Sequence, residues 1–130
     1  MSIARLSGEE LVPLLRARGV TVVDVRDSDF IGGNIAGALH VPKDELKFSV
    51  EKYVDQLKDK EHVVFHCMMS QIRGPYCAKL FHRELVKANV QPLPKVSILD
   101  GGFEEFVEKH HRQKDLFENL DERKWGINTN

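Results

Sequence analysis

The segment His66-Cys67-Met68-Met69-Ser70-Gln71-Ile72-Arg73-Gly74 puts one cysteine and one arginine at the two ends of a short stretch. A thiolate attacks electrophilic centres, and a guanidinium fork holds a tetrahedral oxyanion through two parallel hydrogen bonds. The pair therefore suits nucleophilic chemistry on a bound oxyanion, with Cys67 the expected nucleophile and Arg73 the expected clamp. Between them Met68, Met69, Ser70, Gln71 and Ile72 carry backbone N–H groups and, with Arg73, make the expected oxyanion-binding loop. The flanks agree: His62-Val63-Val64-Phe65 has the β-branched and aromatic character of a buried strand, and Gly74-Pro75 opens a segment of helical periodicity. A loop between a strand and a helix start gathers unpaired amides at one spot, where the helix dipole also favours negative charge. A cysteine placed there is expected to ionise below the range of a free thiol.

The rest of the chain must supply the elements that hold this loop. Ile3-Ala4-Arg5-Leu6 reads as an edge strand, and Ser7-Gly8-Glu9-Glu10 has capping-box spacing ahead of a helix that carries Leu11, Leu14 and Leu15, with Pro13 inside it. Val20-Thr21-Val22-Val23-Asp24-Val25 is the clearest strand, apolar enough to be covered on both faces. Asp24 and Arg26 flank Val25 at its end, and a local ion pair or hydrogen-bond anchor for the next loop is expected of them ahead of substrate contact. Phe30 to Ile35 is glycine-rich but lacks the Gly-x4-Gly-Lys-Ser/Thr pattern of a phosphate loop. Ala38 to Val41 reads as a short strand stopped by Pro42, with His40 a structural histidine. Leu46, Val50, Tyr53, Val54 and Leu57 predict one amphipathic helix from Lys43 to Lys58. Cys77, Phe81, Leu85 and Ala88 predict the core face of the helix after the loop, and Cys77 is expected there as a buried, inert thiol rather than a resolving partner for Cys67. Lys95 to Leu99 is a further strand, and Asp100-Gly101-Gly102 turns into a helix bearing Phe103, Phe106 and Val107. His110 and His111, about 100° apart on a helix, do not suit a shared metal ion and are expected as solvated charge. Leu116, Phe117, Leu120 and Trp125 predict a last helix packed on the domain.

Strands and helices alternating at this spacing predict an α/β fold with a mainly parallel central sheet flanked by helices, and ligands bind at the carboxyl ends of such strands. Cys67 falls there. The His-Cys-x5-Arg stretch resembles the loop of cysteine-based phosphatases. Val22-Val23-Asp24-Val25-Arg26-Asp27, Gly33-Asn34-Ile35-Ala36-Gly37-Ala38, His40-Val41-Pro42 and Leu99-Asp100-Gly101-Gly102-Phe103 extend the likeness. Together they resemble the rhodanese-fold branch that holds the M-phase inducer (cell-cycle) phosphatases and the related eukaryotic arsenate reductases. The resemblance implies a single three-layer rhodanese-like catalytic domain over residues 1–130, with His66, Asp24 and Arg26 supporting the loop. It also implies a support role for Asn34, where relatives usually carry histidine.

Five residues between the cysteine and the arginine match the phosphatase-type members, whereas family sulfurtransferases have one fewer. The wider ring of amides suits phosphate or arsenate. None of the five is an acid, and arsenate needs less help from a proton donor than a phosphoester does. The resemblance therefore implies an arsenate reductase first, with glutathione and glutaredoxin as external reductant and no bound cofactor or metal. A tyrosine or dual-specificity phosphatase acting on phosphoproteins through a phosphocysteine comes second, and a sulfurtransferase or non-catalytic binding module third. A formal net charge of −1, with acids and bases interspersed, gives no basic stripe for nucleic acid or an anionic membrane. No apolar run approaches the ~20 residues of a spanning helix. Two cysteines suit a reducing compartment, so a cytoplasmic protein is expected, with the nucleus as a further compartment.

Overall fold

The computed structural model describes residues 3–127. Its β-branched runs form the interior of one parallel sheet. The strands β1 (Ala4–Leu6), β2 (Thr21–Asp24), β4 (Leu39–His40), β5 (His62–His66) and β6 (Lys95–Leu99) pair in the order β1-β6-β5-β2-β4. β5 sits at the centre, and all five of its residues are buried. Period-two alternation divides the core. Val23, Val63 and Phe65 face α2 (Lys43–Phe48), α3 (Val50–Leu57) and α4 (Arg73–Lys87), while Val22, Val64 and Leu99 face α1 (Gly8–Arg16) and α5 (Gly102–His110). The same alternation sends His66 toward α5 and Cys67 toward α4, which separates the two neighbours at the end of β5.

The elements begin and end where local chemistry requires. Ser7 caps α1: the Glu10 N–H donates to its Oγ (3.1 Å), and the Ser7 N–H donates to Glu10 Oε1 (2.8 Å). Pro13 lies inside α1, which runs on to Arg16. The single helix expected over Lys43 to Lys58 is instead two, α2 and α3, broken at Ser49, whose backbone lies at φ −122° and ψ 32°. Phe48, just before the break, is exposed, while Leu46 on α2 and Tyr53, Val54 and Leu57 on α3 are buried in the core.

The last helix expected around Leu116 to Trp125 is also corrected. A 3-10 turn (Lys114–Leu116) leads into β7 (Phe117–Glu118), which pairs antiparallel with β3 (Asn34–Ile35). Asn34 fixes this second sheet, its Nδ2 donating to Ile35 O (2.9 Å) and Glu118 Oε1 (3.1 Å). Leu116 and Phe117 are buried as their apolar character requires, but through strand pairing rather than a helix face. His110 departs from the expectation of solvated charge. It is buried against the Phe106 ring at 4.9 Å between centroids, with Gln113 hydrogen-bonded to its Nδ1 (3.2 Å).

Phe103 joins these layers. Fully buried, it stands 6.0 Å from the Phe117 ring, 5.3 Å from Trp125 and 6.1 Å from His66, with the Arg26 guanidinium 4.3 Å above its face. Phe103→Ala is expected to cost about 3–5 kcal/mol in urea unfolding, the usual range for emptying a buried aromatic site. A loss below about 1 kcal/mol would show that Phe103 does not join the layers.

Candidate active site

At the carboxyl edge of the sheet, Asp24, Arg26 and His66 are all fully buried. Two charges without water require close pairing, and the Asp24 carboxylate meets Arg26 on every side. It accepts from the Arg26 backbone N–H (3.1 Å), from Nε (3.0 and 3.1 Å) and from Nη2 (2.7 Å). The remaining Arg26 donors reach Asp29 O (3.1 Å) and Gly33 O (2.9 Å), which shapes the loop after β2. Burial alone would raise the Asp24 carboxyl, but His66 and the Arg26 guanidinium hold it below the usual carboxylate range. The pair is thus the anchor expected of these two residues.

His66 links that anchor to the loop. Its Nδ1 lies 3.0 Å from Cys67 O, a pure acceptor, so Nδ1 carries the proton, while Nε2 lies 3.6 Å from Asp24 Oδ2. Burial pushes the His66 ring below the usual histidine range although Asp24 pulls the other way, which keeps the imidazole neutral at neutral pH. His40 is satisfied locally: its Nε2 lies 2.6 Å from Arg26 O, and its ring stacks on Phe30 at 3.7 Å.

The loop carbonyls are held from outside. The Phe103 and Glu104 amides at the start of α5 donate to Cys67 O (3.0 Å) and Met68 O (2.9 Å), and Ser70 O accepts from an Arg5 guanidinium N–H (3.0 Å). In a trans peptide the C=O and the following N–H point opposite ways. Carbonyls tied outward therefore turn the Met68, Met69 and Gln71 amides toward the concave side of the loop. Ser70, buried and at φ +54°, makes the bend, and its Oγ accepts from the Cys67 N–H (3.4 Å). At the other end the Gly74 N–H, in the first turn of α4, donates to Cys67 Sγ (3.3 Å). A thiolate at this position faces a helix N-terminus and its dipole.

Two glycines let these backbones approach. A Cβ on Gly74 would sit 3.3 Å from Cys67 N. A Cβ on Gly102, which lies at φ +63°, would sit 2.5 Å from Met68 O and 2.7 Å from Cys67 O.

Arg73 is the first residue of α4, and its guanidinium is braced by a carboxylate that sequence reasoning missed. Nη1 and Nη2 donate to the two oxygens of Asp29 (2.9 and 2.6 Å), and Asp27 lies 3.4 Å from Nη1. The Asp29 hydrogen bonds raise the Arg73 pKa, and Arg73 in turn holds the Asp29 carboxyl below its usual range. The adjoining edge of the planar group, Nε–H with the second Nη2 proton, is the one turned away from Asp29. No local motif links Asp29 to Arg73 across 44 positions; the only signal was an acidic cluster after β2. Met69 and Ile72 are exposed on the loop, and Tyr76 is partly exposed on the next turn, so exposed apolar side chains stand beside the charged Asp27, Asp29 and Arg73. Cavities of about 760 and 510 Å³ lie elsewhere, along α5 with the C-terminal turns and beside Leu15 and Val22.

Cys77 lies fully buried in the α4 core stripe, and burial pushes its thiol up to about 12. Cys67 is 3% exposed and held at the loop and helix start, so iodoacetamide at about pH 8 is expected to label the native protein slowly at Cys67 and to leave Cys77 untouched until unfolding. Peptide mapping of Cys67→Ser and wild type checks this, and native labelling of Cys77 would refute it. Gly102→Ala is expected to slow Cys67 labelling or unfold the domain by 1–3 kcal/mol, about the cost of overpacking, as read by labelling rate and urea midpoint. An unchanged midpoint and rate would show that the loop carbonyls do not need this glycine.

The model of the Rhodanese-like domain matches residues 7–109. The chain is 36% identical over 104 residues to "Dual specificity phosphatase Cdc25" of Arabidopsis thaliana, covering 78% of this chain and 71% of that protein. It is 35% identical to "Arsenate reductase 2.2" of Oryza sativa subsp. japonica, covering 78% and 79%. The solved structure of Ygr203w, described as a yeast protein tyrosine phosphatase of the Rhodanese family, superposes with a TM-score of 0.82 at 29% identity, over 96% of this chain and 98% of that one. With the parallel sheet, the outward-tied loop and the Cys67 and Arg73 ends described above, the chain belongs to the rhodanese-like domain family, in the company of Cdc25-like phosphatases and arsenate reductases.

Proposed function

We propose that this protein is a cysteine-dependent arsenate reductase. The carrying observation is a loop whose carbonyls are tied outward around Cys67 Sγ, with Arg73 braced by Asp29 at its far end and no acid among the five intervening residues. Inward amides and one guanidinium edge bind a tetrahedral oxyanion. The Cys67 thiolate attacks arsenic, and one As–OH takes a proton and leaves as water, giving a Cys67–S–As(V) adduct. Glutathione thiolate then attacks Cys67 Sγ, the S–As electron pair passes to arsenic, and arsenite departs with a Cys67–glutathione disulfide left behind. A second thiol, from glutaredoxin or glutathione, reduces that disulfide and restores the thiolate. The two thiols supply the two electrons that arsenic gains.

A phosphatase reading is favoured by one observation. Asp27, brought to 3.4 Å from Arg73 by the loop after β2, is a half-exposed carboxylate beside the site. Protonation of a leaving group from there would supply the acid that the loop lacks, a contribution of roughly 10²–10⁴ in rate.

Arsenite formation from arsenate, glutathione and glutaredoxin is expected for the wild type and to vanish in Cys67→Ser. Arg73→Lys is expected to keep the fold and raise KM for arsenate by about tenfold or more, because an ammonium cannot reproduce the braced fork. Absence of arsenite from wild type with its thiol confirmed reduced would overturn the reductase reading. Hydrolysis of an aryl phosphomonoester under the same conditions, slowed in Asp27→Asn, would replace it with the phosphatase one.

A further inference from the structure

We propose that Arg5, on edge strand β1, is a positioning residue for oxyanion binding by the Cys67 loop. The inference rests on the oxyanion reading above and extends it to a side chain 65 residues away from Ser70.

Arg5 makes two hydrogen bonds in different directions. Nη2 donates to Ser70 O (3.0 Å), and Nη1 donates to Asp100 Oδ1 (2.9 Å). Asp100 is the residue from which the chain turns into α5, the helix whose amides hold Cys67 O and Met68 O. Arg5 therefore ties the middle of the loop to the support that already holds its beginning. Strand register puts it there: Arg5 lies opposite Ile98, and Leu6 O accepts from the Asp100 N–H (2.8 Å), so β1 and the β6–α5 turn share one edge.

The loop needs such a tie at Ser70. A non-glycine residue in the left-handed region is disfavoured by its own Cβ, so its conformation is kept by neighbours rather than by its own preference. Ser70 Oγ contributes only a long contact to the Cys67 N–H (3.4 Å). With Ser70 O fixed to Arg5, the Gln71 N–H is directed to the concave side, where it meets a bound oxyanion. A planar guanidinium reaches Ser70 O and Asp100 together, whereas an ammonium on a flexible stem does not fix both at once. The Arg5 side chain is 43% exposed, so its removal weighs little on global stability.

The reactivity of the thiol should be separable from this tie, because the donor to Sγ is the Gly74 N–H of α4. The test measures protection of Cys67 from iodoacetamide by inorganic phosphate and by arsenate in wild type, Arg5→Ala and Arg5→Lys, alongside Tm and steady-state kinetics. In Arg5→Ala the anion concentration for half-protection is expected to rise about tenfold, the scale of one charge-assisted hydrogen bond. Arg5→Lys should lose nearly as much. The unprotected labelling rate and Tm should stay close to wild type, and KM should rise more than kcat falls. Wild-type affinity in Arg5→Lys would assign the effect to charge alone and overturn the proposal. So would unchanged affinity in Arg5→Ala, or a Tm that falls in step with affinity. Failure of both anions to protect the wild type would remove the oxyanion reading itself, and this inference with it.

Discussion

Placing an aspartate and an arginine in a fully apolar position at the end of β2 is the constraint from which the site is built. An unpaired buried charge costs several kcal/mol, so Asp24 and Arg26 must meet through close hydrogen bonds. Satisfying Arg26 takes the carbonyls of Asp29 and Gly33, and that demand folds the chain after β2 into one shape. The same guanidinium rests on Phe103, the first core residue of α5, and Asp24 approaches His66 at the end of β5. Three elements are thereby brought to one edge of the sheet.

From that edge the loop is assembled by ties on its outer side. Backbone amides at the start of α5 take two of its carbonyls, Arg5 takes a third, and His66 adds a hydrogen bond to Cys67 O. The inner side then presents N–H groups with no side chain required, which is why the intervening residues tolerate two methionines and an isoleucine. Preorganisation of this kind lowers the reorganisation needed when charge arrives. Close approach of backbone to backbone is the condition, and Gly74 and Gly102 supply it.

Charge at the site is arranged in two tiers. The inner tier, Asp24 with Arg26 and a neutral His66, is buried and structural. The outer tier, Asp29 with Arg73, is partly exposed and lies at the mouth, with Asp27 beside it. Asp24 and Asp29 ionise below their usual range. Lowered carboxyls contribute stability that is complete above the unfolded range near pH 4 and is lost as pH falls through the folded values. The lowered His66 works in the same direction below about pH 6.5, where the unfolded chain takes up a proton that the folded chain resists. The site is therefore built for neutral conditions.

Much of this was legible in the residue order. The strand, loop and helix around Cys67, the double-sided core of the parallel sheet and the anchoring of Asp24 by Arg26 all follow from local pattern, because burial and period are local properties. The sequence by itself also determined that a cysteine and an arginine occupy the two ends of one loop. Tertiary structure alone decided what braces them. Asp29 meets Arg73, and Arg5 meets Ser70 O, across 44 and 65 residues, distances over which no spacing rule operates. The break at Ser49 and the pairing of β7 with β3 were likewise invisible, since an apolar stripe at helical spacing reads the same over one helix or two successive ones. Nor does a short apolar run distinguish a helix face from a two-residue strand. Local pattern places the cysteine and the arginine; long-range hydrogen bonds of charged side chains fix what surrounds them.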